Sequence, residues 1–259
     1  MREIAVIKVG GNIIDNEAKL AAFLKDFAAL PGNKILVHGG GKVATEIGDR
    51  LGIQSNYING RRITDKETLD VVTMVYGGLV NKKIVAQLQK LGCNAIGLTG
   101  ADGNVISAVK RPVGEVDYGY VGDVTGVNTS LVNTLSDAGF TLVIAPLTHS
   151  EGVMLNTNAD TIAQETAKGL ATTAKVQLVY CFEKKGVLMD AEDEEAVINT
   201  IDRKSYEELK ASNIVSGGMI PKLDNAFEAI DAGVSKVIIG QAEELAELLK
   251  GNAGTQIIK

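Results

Sequence analysis

The feature that most constrains this chain is a strand that runs straight into glycine. In Ile4-Ala-Val-Ile-Lys-Val-Gly-Gly11, five of the six residues before the glycines are apolar. Such a run predicts a strand with no solvated face. The pattern returns at Lys34-Ile-Leu-Val-His38, closed by Gly39-Gly40-Gly41, and helical spacing follows in Ala18–Leu30 and Lys42–Leu51. One charge interrupts the first run. Lys8 either snorkels out at the strand end or meets an anion there, since a buried ammonium without a partner is costly. Bare glycine backbone beside it lets a ligand approach closely.

The alternation continues along the chain. Strands are predicted at Ala95–Leu98, Thr141–Pro146, Val176–Tyr180 and Lys236–Gly240, with a last short one at Thr255–Ile258. Helices are predicted at Leu131–Ala138, Ala159–Leu170, Lys204–Lys210 and Glu243–Leu249, and from the Ser216–Lys222 segment to Ala232. Asp65–Leu91 is helical but interrupted at Gly77-Gly78, Asn59–Thr64 is a loop or short hairpin, and Ser107–Val127 reads as hairpins. Strands alternating with helices imply an open, mostly parallel α/β sheet covered on both faces. A soft boundary falls at residues 171–175, giving lobes 1–172 and 173–259.

The net charge of −6 argues against nucleic acid as a partner. Cys93, Cys181, His38 and His149 are the only cysteines and histidines, too few for a disulfide framework or a four-ligand zinc site. No apolar run is long enough to span a bilayer, and the first strand begins almost at once, so a reducing cytoplasm is the expectation. No G-x-G-x-x-G, G-x-S-x-G or H-E-x-x-H motif is present. Gly41-Lys42 resembles the end of a Walker A loop, but Leu36 and Val43 stand where glycine and Ser or Thr are required.

Four signals remain at predicted strand ends or helix starts. They are Lys8-Val-Gly-Gly11, His38-Gly-Gly-Gly41, Asn156-Thr-Asn-Ala-Asp160 and Ser216-Gly-Gly-Met-Ile-Pro-Lys222. In open α/β sheets that edge binds ligands, and glycine turns with helix N-termini favour anions. Each has a plain structural reading too. The glycines form tight turns, Asn156 and Asn158 are caps, and Lys222, Arg61 and Arg62 are solvated charges.

Together, K-x-G-G, H-G-G-G, N-G-x-R-x-T, N-x-N-A-D and G-G-M-x-x-K resemble the amino-acid kinase superfamily, most of all the acetylglutamate kinase family. The resemblance runs from Ile4 to Ile258. It implies a three-layer α/β/α sandwich, with lobe 1–172 binding acylglutamate and mediating dimerisation, and lobe 173–259 binding ATP. The implied reaction moves the ATP γ-phosphoryl to the side-chain carboxylate of an N-acylated glutamate, with Mg²⁺ carried on the ATP phosphates and no protein metal ligand.

By the same resemblance Lys8 and Lys222 flank the phosphoryl, and Asp160 holds both ammonium groups. Gly40, Gly41, Arg62 and Asn156 serve the acylglutamate. Gly10, Gly11, Glu183, Gly186, Leu188, Ser216 and Gly217 serve the nucleotide. Two departures stand out: the turn Cys181-Phe-Glu-Lys-Lys-Gly186, and Lys42 where proline is usual. Lys42 near the acyl pocket leaves N-succinylglutamate open beside N-acetylglutamate. A carbamate or aspartate kinase, and a non-catalytic sensor on this fold, are the other readings. Regulated members carry a helix before the first strand, so a homodimer without arginine inhibition is expected, paired through Asp65–Leu91.

Overall fold

The computed structural model describes residues 2–58, 60–190, 192–215 and 219–259. Asn59, Ser216, Gly217 and Gly218 of the motifs above therefore lie outside the described residues. The N-terminal half runs β1 (Glu3–Val9), α1 (Gly11–Ile14), α2 (Glu17–Ala29), β2 (Asn33–His38), α3 (Gly41–Arg50) and the hairpin β3 (Tyr57–Ile58) and β4 (Arg61–Arg62). Next come α4 (Lys66–Val72), a π-helical run (Thr73–Val80), α5 (Asn81–Lys90), β5 (Ala95–Leu98), β6 (Ile106–Lys110) and β7 (Gly122–Val127). Then follow α6 (Thr129–Asp137), β8 (Thr141–Ile144), β9 (Leu147–Ser150), β10 (Val153–Asn156) and α7 (Ala159–Ala171). The remainder is β11 (Lys175–Phe182), β12 (Thr200–Ile201), α8 (Arg203–Ala211), α9 (Met219–Asp231), β13 (Lys236–Gln241), α10 (Leu245–Lys250) and β14 (Thr255–Ile257).

The main sheet has eight strands in the order β12-β14-β13-β11-β1-β2-β8-β5. Every neighbouring pair is parallel except β13 with β14. β1 lies inside it, pairing with β2 on one side and β11 on the other, Lys8 opposite Val37 and Tyr180.

Side-chain alternation sorts the strands into two cores. Ile4, Val6, Ile35, Val37, Val176, Leu178 and Tyr180 pack on one face with Ile162 of α7 and Leu223 of α9. Ile7, Val9, Leu36, Val143, Val179 and Cys181 pack on the other with residues of α2, α4, α5 and α10. A strand of period two gives each face its own residues, so the sheet is the middle layer of an α/β/α sandwich, as the resemblance implied. No helix among the described residues is long and apolar enough to cross a membrane.

Three local expectations change, and one element appears that was not expected. Gly77-Gly78 do not interrupt the long helix: α4, the π-helical run and α5 are continuous. A Cβ on Gly77 would lie 3.3 Å from Leu147 and 3.4 Å from Thr99, so this glycine allows close packing onto the second sheet. The segment before Asn156 is a hairpin, β9–β10, that joins β6 and β7 in that sheet. Its alternation is too short and mixed to stand out in sequence. β11 runs on through Cys181 and Phe182, so those two residues are strand, not turn. Lys42 is exposed on α3 and does not line the cavity that holds Arg62 and Asn156.

Candidate active site

Strand parity places the first lysine. Lys8 shares the face of Ile4 and Val6, the face covered by α7 and α9. The first turns of both helices reach the carboxyl ends of β1 and β11. α7 is capped by Asn158, whose Oδ1 accepts from the N–H groups of Asp160 (2.8 Å) and Thr161 (3.2 Å). That cap sets Asp160 at the helix N-terminus, where the helix dipole favours a carboxylate. Lys8 Nζ lies 2.8 Å from Asp160 Oδ1, with the Lys8 side chain only 10% exposed.

Phe182 completes the group. Its ring shares the Tyr180 face of β11 and stacks on Tyr180 at 6.1 Å. Lys222, in the first turn of α9, holds its ammonium 4.0 Å from the Phe182 centroid, and Lys8 Nζ lies 5.2 Å from it. Burial pulls the Lys222 ammonium below the ordinary lysine range; Asp160 pulls it back up and Lys8 pushes it further down. Asp160 thus touches one ammonium directly and acts on the other through space. Two cations sharing one carboxylate and one aromatic face leave positive charge for an anionic ligand.

Two cavities open beside this cluster. One, of about 330 Å³, is lined by Lys8, Gly10, Gly11, Phe182, Glu183, Gly186 and Lys222, among others. Leu188 forms a bridge with Val197 and does not line it. A Cβ on Gly186 would lie 2.7 Å from Thr255 Oγ1, which explains the glycine by packing. The other cavity, of about 230 Å³, is lined by Gly40, Gly41, Arg62, Tyr76, Arg111 and Asn156, among others. Ala159 and Thr161, the neighbours of Asp160, also face it, so the Lys8–Asp160 pair adjoins both.

Arg62 is buried and firmly held. Its Nη2 donates to Gly41 O (2.7 Å) and Thr45 Oγ1 (2.9 Å), its Nη1 donates to Ser55 Oγ, and its guanidinium lies 4.8 Å from the Tyr57 ring centroid. Asn156 Nδ2 donates to Thr64 Oγ1 at 2.9 Å. The structure therefore brings Lys8, Asp160 and Lys222 together, and gathers Gly40, Gly41, Arg62 and Asn156 in one cavity.

Sequence reasoning missed Phe182, Tyr76, Asn81 and Asp15. An aromatic closing an apolar strand gives no local signal. Asn81 stands before two lysines in a helical run, and its full burial has no local signal either. Asp15, at the end of α1, has both carboxylate oxygens shielded with no hydrogen-bond partner among the described residues. Burial raises its carboxyl above the usual range, Lys42 opposes that rise and Glu46 adds to it.

Residues 3–241 match the amino acid kinase family. The chain is 59% identical to the acetylglutamate kinase of Cytophaga hutchinsonii, covering 100% of this chain and 99% of that one. It is 60% identical to the acetylglutamate kinase of Bacteroides thetaiotaomicron, with full coverage of both. Among solved structures, the protein smu.665 of Streptococcus mutans superposes with a TM-score of 0.78 at 29% identity, over 98% of each chain. With the sandwich, the glycine turns and the two-lysine cluster in place, the chain belongs to the amino acid kinase family and, within it, to the acetylglutamate kinases.

Proposed function

We propose that this protein transfers the γ-phosphoryl group of ATP to the side-chain carboxylate of N-acetyl-L-glutamate, forming an acyl phosphate. The observation that carries the reading is the Lys8–Asp160–Lys222 cluster at Phe182, adjoining two cavities. The full-length relatives named acetylglutamate kinase supply the acceptor.

The chemistry asks little of the protein beyond charge and position. A glutamate side chain has an ordinary pKa of about 4.3, so the nucleophile is already ionised at neutral pH and needs no general base. Two anions must meet in line. Lys8 and Lys222 neutralise the phosphoryl oxygens from the acceptor and leaving sides. Asp160 fixes Lys8 and favours the charged form of Lys222 against burial. Gly10 and Gly11 on one side and Gly40 and Gly41 on the other offer backbone N–H groups. Arg62 and Asn156 orient the acylglutamate; Glu183 and Gly186 border the nucleotide.

Among the described residues no three His, Cys, Asp or Glu side chains gather as a metal cage. By the family resemblance Mg²⁺ would arrive with ATP, held mainly by phosphate oxygens, where it would screen the triphosphate charge. The acylglutamate-binding lobe is residues 1–172 and the nucleotide lobe 173–259, joined by the shared main sheet. Two copies pair through the long helix. Met74 and Leu79 are exposed there, five residues apart in the π-helical run, where hydrogen bonds join i to i+5.

Incubation with Mg·ATP and N-acetylglutamate, trapping the product with hydroxylamine, tests the reaction. Hydroxamate formation is expected; its absence with both N-acetyl- and N-succinylglutamate defeats the reading. The ratio between the two substrates assigns the acyl group. Light scattering of wild type and of Met74→Glu/Leu79→Glu checks the dimer, which the double variant should split.

A further inference from the structure

We infer that His38, held by Asn81, is a positioning residue that turns the Gly40 N–H into the acylglutamate cavity; the inference rests on the phosphoryl-transfer reading above. His38 closes β2 on the face opposite Lys8 and is fully buried. Asn81 Nδ2 lies 3.0 Å from Val143 O and 3.1 Å from His38 Nε2. Lys82 Nζ, 3.1 Å from Asn81 Oδ1, identifies the oxygen end of that amide. An amide nitrogen donates only, so Nε2 accepts and the ring proton sits on Nδ1. Nδ1–H then donates to Gly39 O at 2.7 Å.

That bond fixes a peptide plane. In a trans peptide the carbonyl and the following N–H point to opposite sides. Drawing Gly39 O toward His38 therefore aims Gly40 N–H away from it, toward the cavity that Gly39, Gly40 and Gly41 line. Gly39 is held from its other end as well, its N–H donating to Val9 O at 3.2 Å. No described residue accepts from Gly40 N–H, so a donor stands free at the cavity wall. Gly40 itself has φ +145°, and a Cβ there would lie 3.2 Å from the Tyr76 ring. Beyond it, Arg62 grips Gly41 O. The Gly39 and Gly41 carbonyls are thus each held by a side chain, one by His38 and one by Arg62.

The supporting shell is built for this. The π-helical run ends at Val80, immediately before Asn81, and carries Tyr76 under Gly40. Such runs are uncommon and recur at functional sites. Gly97 of β5 leaves the room Asn81 needs, because a Cβ there would fall 1.9 Å from Asn81 Oδ1. An N–H fixed toward an oxygen that gains charge lowers the barrier without reorganisation.

Two variants separate the role from mere packing. His38→Gln keeps an acceptor for Asn81 but loses the Nδ1 donor. His38→Asn keeps an N–H near the Nδ1 position. We expect His38→Gln to lower kcat by about 10²-fold, with KM for both substrates within about threefold, and His38→Asn to recover kcat to within about tenfold of wild type. Equal losses in the two variants, or losses carried by KM, overturn the proposal. A readout independent of variant folding is nitrogen NMR of isotope-labelled histidine in the wild-type protein. A neutral ring protonated on Nδ1 at neutral pH is expected, and the other tautomer or an imidazolium overturns the assignment. Wild type without hydroxamate would remove the kinase reading itself, whereas active wild type with an unimpaired His38→Gln removes only the role of His38.

Discussion

Lys8 Nζ lies 2.8 Å from Asp160 Oδ1, joining the end of β1 to the first turn of α7. The same carboxylate raises the affinity of Lys222 for its proton, against burial and against Lys8. Asp160→Asn should therefore lower kcat by about 10²–10³-fold. It should also move the alkaline limb of the pH–rate profile to lower pH, because Lys222 loses the group that favours its charged form. An unmoved limb would contradict this coupling.

Phe182 faces both ammonium groups. Phe182→Leu keeps an apolar side chain and removes the ring quadrupole, worth about 0.5–2 kcal/mol at such sites. We expect kcat/KM for ATP to fall about threefold to thirtyfold, with KM for the acylglutamate little changed. Steady-state kinetics with each substrate varied in turn checks it.

Arg62 binds three protein groups besides any substrate. Arg62→Lys cannot reproduce that fork. KM for the acylglutamate should rise by at least about tenfold, and the melting temperature should drop by a few degrees. Lys222→Ala removes an ammonium at the cluster and should reduce kcat with less effect on KM.

Gly97→Ala puts a methyl where Asn81 Oδ1 stands. Overpacking of this kind costs about 1–3 kcal/mol, read as a lower urea midpoint. If Asn81 steers His38, kcat should fall as well, although Gly97 lines neither of the two cavities beside the cluster.

Asp15 holds its proton to higher pH in the folded chain than in the unfolded one. The folded state then binds more protons across that window, so this group's stabilising contribution is complete below the unfolded carboxyl pKa of about 3.9 and is lost as pH rises through the raised value. Asp15→Asn should be more stable than wild type at neutral pH, and the difference should close on acidification. Urea midpoints across pH give the test.

Much of the fold was readable because burial on both sheet faces writes itself as continuous apolar runs. The strands around Val6, Leu36 and Val179 are examples. Glycine turns after β1 and β2 were equally plain, because only a bare backbone serves there. The hairpin β9–β10 was not legible, since Leu147-Thr-His-Ser150 mixes faces within four residues. Nor was the π-helical run, where Gly77 packs closely against Leu147 and Thr99, residues far away in sequence. Lys42 was expected at the acyl pocket from its place after the glycines. One helical residue of rotation turned it to solvent.

The sequence by itself determined the layers, the glycine turns and the identity of the charged groups, because strand period, helix spacing and backbone freedom are local properties. Only the tertiary structure decided which charges meet. Lys8, Asp160, Phe182 and Lys222 converge because crossover packing lays α7 and α9 on the Lys8 face of the sheet, bringing two helix first turns to the ends of two neighbouring strands. No local pattern encodes that distance, and on it depends whether Lys8 is a solvated strand-end charge or one half of a phosphoryl clamp.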